Sequence, residues 1–230
     1  MLIRFISSII IVVGLLQDLA HSAEKAVEIH VPIPNGFLLL TNEMKALHPT
    51  FSKLQSPSDN TVRFYISQED YEDAQARRTP SLARVFIAFR VSRNAEDVTT
   101  LDVFERVTKG VEKSNKITAE NVERNARKAH DKALLGIVDD QSPTVPKEEY
   151  YPFPPHLRTK TVFALSAFEA ADFAVDETYQ PRPGSSTYTI FFIRGLIVTL
   201  KCIAPKDELE WTRTASEAWV DEIISINPKE

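Results

Sequence analysis

The stretch TYTIFFIRGLIVTLKCIAPKDELEWTRTASEAWVDEIISIN, Thr187 to Asn227, decides the fold of this chain. Within it Leu196, Val198, Leu200 and Cys202 alternate with Ile197, Thr199, Lys201 and Ile203, the period of two expected of a strand with one buried face and one mixed face. Thr187–Ile193 has the same character, and only Arg194 and Gly195 separate the two runs. A glycine at the second loop position supplies the positive φ of a tight turn, so the pair reads as an antiparallel hairpin.

Pro205 ends the second run, and Asp207 with Glu210 three residues on reads as a reciprocal helix cap. Trp211, Ala215, Ala218, Trp219, Ile223 and Ile226 then share one helical face, with Arg213, Glu217 and Asp221 opposite. Asn227 and Pro228 stop the helix, because a residue before proline is pushed out of the α region. Indoles beside alanines suit a helix lying close on a sheet; the alternative use of the two tryptophans is as a ligand-binding pair.

Outside this stretch, the first residues read as an address. Arg4 gives a short basic start, Phe5 to Leu16 is apolar except for Ser7, Ser8 and Gly14, and Ala20 and Ser22 are the small residues that favour cleavage after Ser22. The apolar run is shorter than the about 20 residues a membrane span needs. The expectation is a secretory signal over residues 1–22 and one α/β domain over 23–230, in a periplasmic or secreted protein without stable membrane insertion. An uncleaved anchor is the alternative.

The formal charge is −5, from 27 basic and 32 acidic residues interleaved along the chain. Such a distribution offers no electrostatic footprint for nucleic acid or an anionic membrane. The single cysteine, Cys202, has no partner for an internal disulfide and sits on the apolar face of its strand.

Taken in order, Val27–Val31 reads as a first strand, and Asn35-Gly36 as a turn into Phe37–Leu40. Thr41 caps a helix that runs to Leu47 and is ended by Pro49, and Ser56–Asn60 is a loop. Thr61–Ser67 alternates as a strand and Leu82–Ser92 is longer and more apolar, as a central strand would be, with the short acidic helix QEDYEDAQA between them as a solvated face. Residues 97–137 read as two helices broken at Asn115 and Lys116, the first capped by Thr99 or Thr100 and the second by Thr118. Thr161–Phe173 is strand-like, although AFEAADFA also fits a helix, and QPRPGSS (Gln180–Ser186) is a loop into the hairpin. The architecture expected is α+β: a mainly antiparallel sheet of about five strands packed against helices, with a C-terminal hairpin followed by a long helix.

The segment EEYYPFPPH, Glu148–His156, is unusual. Its prolines exclude a helix or an interior strand. It is either a stiff extended piece laid along the core or an exposed aromatic ledge for a partner or small ligand, with Tyr150, Tyr151, Phe153 and His156 as contacts.

Chemistry-bearing motifs are missing: the sequence contains no HExxH, CxxC, GxSxG or phosphate-cradling glycine loop, and no histidine pair has metal-ligand spacing. No catalytic residue, metal ligand or cofactor is therefore assigned. An enzymatic reading would need Ser185 or Ser186, a histidine and an acid assembled by folding; adjacent residues such as His130 and Asp131 point in different directions on a helix.

VPIPNGF at residues 31–37, and a hairpin running into a final tryptophan-containing helix that ends in Asn-Pro, resemble the PsbP-like group of small secreted α/β/α sandwich proteins. The resemblance covers the two ends of the chain. It implies an antiparallel sheet between helical layers and a role in binding or assembly, with no shared catalytic residues. The functional expectation is an exported, non-enzymatic binding or accessory protein acting through a protein partner. The alternatives are a small-ligand carrier and a hydrolase with a spatially assembled site.

Overall fold

The computed structural model describes residues 29–53, 62–89, 99–134, 150–171 and 182–228. In chain order these form β1 (Phe37–Leu39), α1 (Asn42–Lys45), α2 (Pro49–Lys53), β2 (Val62–Ser67), α3 (Gln68–Gln75), β3 (Val85–Phe89) and α4 (Leu101–Leu134). There follow β4 (Tyr150–Pro152), β5 (Leu157–Arg158), β6 (Val162–Ala171), β7 (Arg182–Ile193), β8 (Leu196–Pro205), a 3-10 turn (Lys206–Glu208) and α5 (Leu209–Ile226). The fold is α+β, and its antiparallel sheet has eight strands, not five, in the order β1-β2-β3-β8-β7-β6-β4 with β5 also on β6. The extra strands are short pieces of two or three residues at the margins, too brief to leave a periodic signal.

The β7–β8 hairpin is the centre of this sheet, paired from Gly184↔Pro205 to Ile193↔Leu196, and its turn has φ of 49° at Arg194 and 75° at Gly195. Helices cover both sheet faces. On one side Phe191, Val198, Leu200 and Cys202 meet Trp219, Val220 and Ile223 of α5. On the other, Phe163, Leu165, Tyr188 and Ile190 meet Phe104 of α4, while Val85, Ile87 and Ile203 pack with Phe51 and Ala74 from α2 and α3.

Several local expectations give way to tertiary structure. Residues 29–31 are not a strand but an irregular strap clasped by α5: Asn227 accepts from His30 N through Oδ1 (2.9 Å) and donates to His30 O through Nδ2 (2.7 Å), and Trp219 Nε1 donates to Pro32 O (2.9 Å). Pro49 opens α2 instead of only ending α1, the position where a missing N–H is harmless. Leu82 has φ of 47°, so β3 begins at Val85. Residues 182–186 of the supposed loop belong to β7, because β6 and β8 pair with them on both sides.

The two helices expected across Asn115 and Lys116 are one helix of 34 residues. Thr118 caps nothing; its hydroxyl bonds back to Ser114 O at 3.0 Å, which a continuous helix accommodates. Asp70, assigned to a solvated face, is 2% exposed and accepts from Ser67 Oγ (2.6 Å), Ser81 Oγ (3.2 Å) and Leu82 N (2.8 Å). It therefore ties α3 to the turn before β3.

At the start of α5 no side chain caps the helix. Glu208 instead reaches Arg84 (2.7 Å) and Glu210 reaches Arg213 (2.7 Å). The face of α5 is also rotated from the expected one: Thr212 and Ser216 are buried, while Ala218 and Ile226 are exposed. The reason lies in the strand beneath, whose Thr187 and Thr189 hydroxyls bond Thr212 (2.8 Å) and Ser216 (2.6 Å).

Cys202 is fully buried, and burial pushes its thiol pKa up. It should resist a thiol reagent in native buffer and react after denaturation. Labelling of the native protein at the denatured rate would contradict its place in the core.

Candidate functional site

The sheet ends at β4, and the aromatic segment lies along this edge. Because successive strand residues face opposite sides, Tyr150 and Tyr151 part company. Tyr150 turns toward α4, where its hydroxyl meets Asn115 Oδ1 (3.4 Å), and burial, then the nearby Glu169, raise its pKa. Tyr151 turns the other way and starts a series of T-shaped ring contacts, Tyr151–Phe153 at 5.5 Å and Phe153–Phe168 at 4.9 Å. Lys206 stands 5.0 Å over Phe168 and Arg213 stands 5.9 Å over Phe153. All three rings are half-buried. The four expected contacts are thus divided: Tyr151 and Phe153 join one edge strip, Tyr150 belongs to the opposite layer, and His156 is tied into a polar network beside the strip.

That network was not foreseen, because its members are scattered through the chain. Thr212 Oγ1 donates to Leu209 O (2.8 Å), so it accepts from Thr187 Oγ1 (2.8 Å). Thr187 accepts in turn from Ser166 Oγ (3.0 Å), and Ser166 accepts from Arg213 Nε (3.1 Å). With its own proton directed to Thr187, Ser166 receives Nδ1–H of His156 at 3.4 Å. His156 Nε2 then has no hydrogen-bond partner and lies 3.7 Å from Glu217 Oε1.

A serine, a histidine and an acid therefore do come together, but with the wrong polarity for nucleophilic catalysis. The histidine donates to the serine instead of accepting from it, and the serine is buried in mid-strand. The serines singled out in the sequence are buried as well: Ser185 donates to Pro205 O (2.9 Å), and Ser186 lies inside β7. The side chains of His130 and Asp131 fall outside the described residues, as does the segment 1–28. Among the described residues no cluster of three or more His, Cys, Asp or Glu could hold a metal ion, and no helix is long and apolar enough to cross a membrane.

Burial, and next the Arg213 guanidinium, hold the His156 pKa below its usual value, with Glu210 opposing. The imidazole is neutral in the folded chain, whereas the unfolded chain titrates at about 6.5. Its contribution to stability is therefore complete above that pH and declines as pH falls from there toward the lower folded pKa. The urea midpoint should drop more steeply from about pH 7 to about pH 5.5 in the wild type than in His156→Gln. Parallel profiles for the two proteins would mean that His156 is solvated.

On the opposite sheet face Glu169 binds Lys201 Nζ (2.6 Å) and the Tyr188 hydroxyl (2.8 Å), and Lys201 Nζ lies 4.8 Å over the Tyr188 ring. Burial, and then Glu169, raise the Tyr188 pKa, so the phenol remains a donor. This pair ties β6 to β8 across β7.

No protein-family model matches the chain, and no curated protein sequence does. Among solved structures, the chain is similar to the Ran-binding protein Mog1p of Saccharomyces cerevisiae, with 12% identity and a TM-score of 0.33 over 88% of this chain and 91% of that one. A similarity of that size carries no argument about partner or activity, so the functional reading rests on the residues themselves.

Proposed function

We propose that this chain is an exported, non-enzymatic binding or accessory protein whose protein partner seats on the Tyr151–Phe153–Phe168 edge. The observation that carries the reading is that strip: three half-buried rings in edge contact, with Arg213 over Phe153 in the middle and Lys206 over Phe168 at one end. Aromatic and arginine side chains of this kind dominate the centres of protein interfaces. Pro152 within β4, followed by Pro154 and Pro155, removes three amide donors from this edge and disfavours addition of another strand. Recognition is thereby left to side chains.

Export to the periplasm is supported by the basic start, apolar run and small residues of Met1–Ser22. Kinship with the PsbP-like proteins is supported by VPIPNGF and the terminal tryptophan-containing helix.

The test is affinity purification of the tagged protein from its native compartment beside a Tyr151→Ala/Phe153→Ala variant. A stoichiometric protein recovered with the wild type and lost with the variant is expected. Equal recovery with both, or with neither, would overturn the assignment of this edge.

A further inference from the structure

His156 lies in the link between β4 and β5, and the backbone there is pinned to β6: Phe153 N donates to Ser166 O (2.8 Å) and His156 N donates to Ala164 O (3.1 Å). Among the described residues the charged groups that face its ring come from α5. They are Arg213 and Glu217, with Glu210 paired to Arg213. From β6 the ring meets the Ser166 hydroxyl.

Two contacts of this ring change character on protonation. Ser166 Oγ sends its own proton to Thr187, so its two lone pairs are filled by Nδ1–H of His156 (3.4 Å) and Nε–H of Arg213 (3.1 Å). A neutral imidazole and a guanidinium share one oxygen without conflict, whereas two cations converging on it repel each other, the more so away from water. His156 Nε2 is buried without a hydrogen-bond partner among the described residues, and Glu217 Oε1 stands 3.7 Å from it. A lone pair there faces a carboxylate; a proton turns that contact into an attraction. Glu217, 45% exposed, then has only about 1 Å to travel to reach the distance of a charge-assisted hydrogen bond.

Arg213 has a way out. Its Nη1 is 2.7 Å from Glu210 Oε1, whose side chain is 80% exposed, so the two swing toward solvent as a pair. That movement lifts the guanidinium from its place over the Phe153 ring, 5.9 Å away. Burial and then Arg213 keep the imidazole neutral at pH 7, with Glu210 opposing, so the change belongs to the acid side of neutrality.

We propose that proton uptake by His156 draws Glu217 inward and drives Arg213 off Ser166 and the Phe153 ring, so that acidification dismantles the partner's seat on this edge. The effect on binding rests on the assignment of the Tyr151–Phe153–Phe168 edge as that seat; the rearrangement itself involves no partner.

The experiment is a titration of the isotopically labelled protein from about pH 7.5 to about pH 5, read at the His156 ring, the Arg213 Nε–H and the Phe153 ring. The Arg213 and Phe153 signals should shift with the His156 midpoint, and the shift should be lost in His156→Gln. Glu217→Gln, which alters an exposed side chain, should lower the His156 midpoint, and Arg213→Gln should raise it. Arg213 and Phe153 signals that stay fixed while His156 titrates, shifts that persist in His156→Gln, or a midpoint unmoved by both other substitutions would each overturn the proposal. Affinity purification repeated at the two ends of this range should recover less partner at the acid end with the wild type but not with His156→Gln; equal loss with both would overturn the proposed effect on binding. A purification that recovers no partner at either pH counts against the edge as a seat, while the titration still decides the rearrangement.

Discussion

Trp219→Ala should lower the stability of the folded chain by about 3 to 5 kcal/mol, the largest loss expected of any single change to α5. The indole is 2% exposed and makes edge contacts with Tyr65 (5.3 Å) and Phe86 (5.1 Å), which come from β2 and β3. Its Nε1 also holds the N-terminal strap through Pro32 O at 2.9 Å. Truncation therefore opens a cavity among three elements and leaves that carbonyl without its donor. The two effects separate in Trp219→Phe, which keeps a ring but not the N–H and should lose less than the alanine variant. Urea midpoints for the three proteins measure this; an unchanged midpoint in Trp219→Ala would mean that α5 does not pack on β2 and β3.

Lys201→Ala should come next. Lys201 and Glu169 are 17% and 5% exposed, and removing the ammonium leaves a buried carboxylate with, among the described residues, only the Tyr188 hydroxyl for company. Breaking one side of such a pair costs about 3 to 5 kcal/mol, whereas replacing both sides by apolar groups of similar volume is often neutral. The double variant Lys201→Met/Glu169→Leu should therefore recover most of what the single variant loses. Equilibrium unfolding of the two proteins at one pH is the measurement. A loss in Lys201→Ala no larger than the about 1 kcal/mol of an exposed pair would show that solvent reaches Glu169.

The central hairpin and its helix were legible because their signals are local and long: alternation over Leu196–Ile203, a turn glycine, and a helix stop at Asn227-Pro228. The orientation of α5 was less so. Spacing placed Ala218 inside and left Thr212 and Ser216 unassigned, since hydropathy ranks alanine above a hydroxyl; the sheet supplied Thr187 and Thr189 as partners, and the hydroxyls went in. Asn115 reads as a helix breaker by propensity, yet in α4 it faces Tyr150, a contact 35 positions away that no local window contains. The aromatic segment was recognisable as exceptional, but its division was not. Tyr150 and Tyr151 differ only in which side of β4 they take, and that is fixed by pairing with Glu169 and Phe168. His156 and Ser166 show the same limit: each is ordinary alone, and their relation exists only once β6 and α5 are in place.

One feature of the sheet bears on how the chain is made. Among the described residues β8 is the one strand that joins β1-β2-β3 to β7-β6-β4, and it lies more than a hundred residues after β3. At a synthesis rate of about 5 to 20 residues per second, Phe89 leaves the ribosome roughly 5 to 20 s before Leu196 does. Through that interval the first three strands have no central ladder to join, and the strap at His30 waits longer still for Asn227, 197 positions away. The emerging polypeptide is thus kept from closing its core while it is being translated, which leaves it in a threadable state for any translocation machinery that engages its N-terminal end.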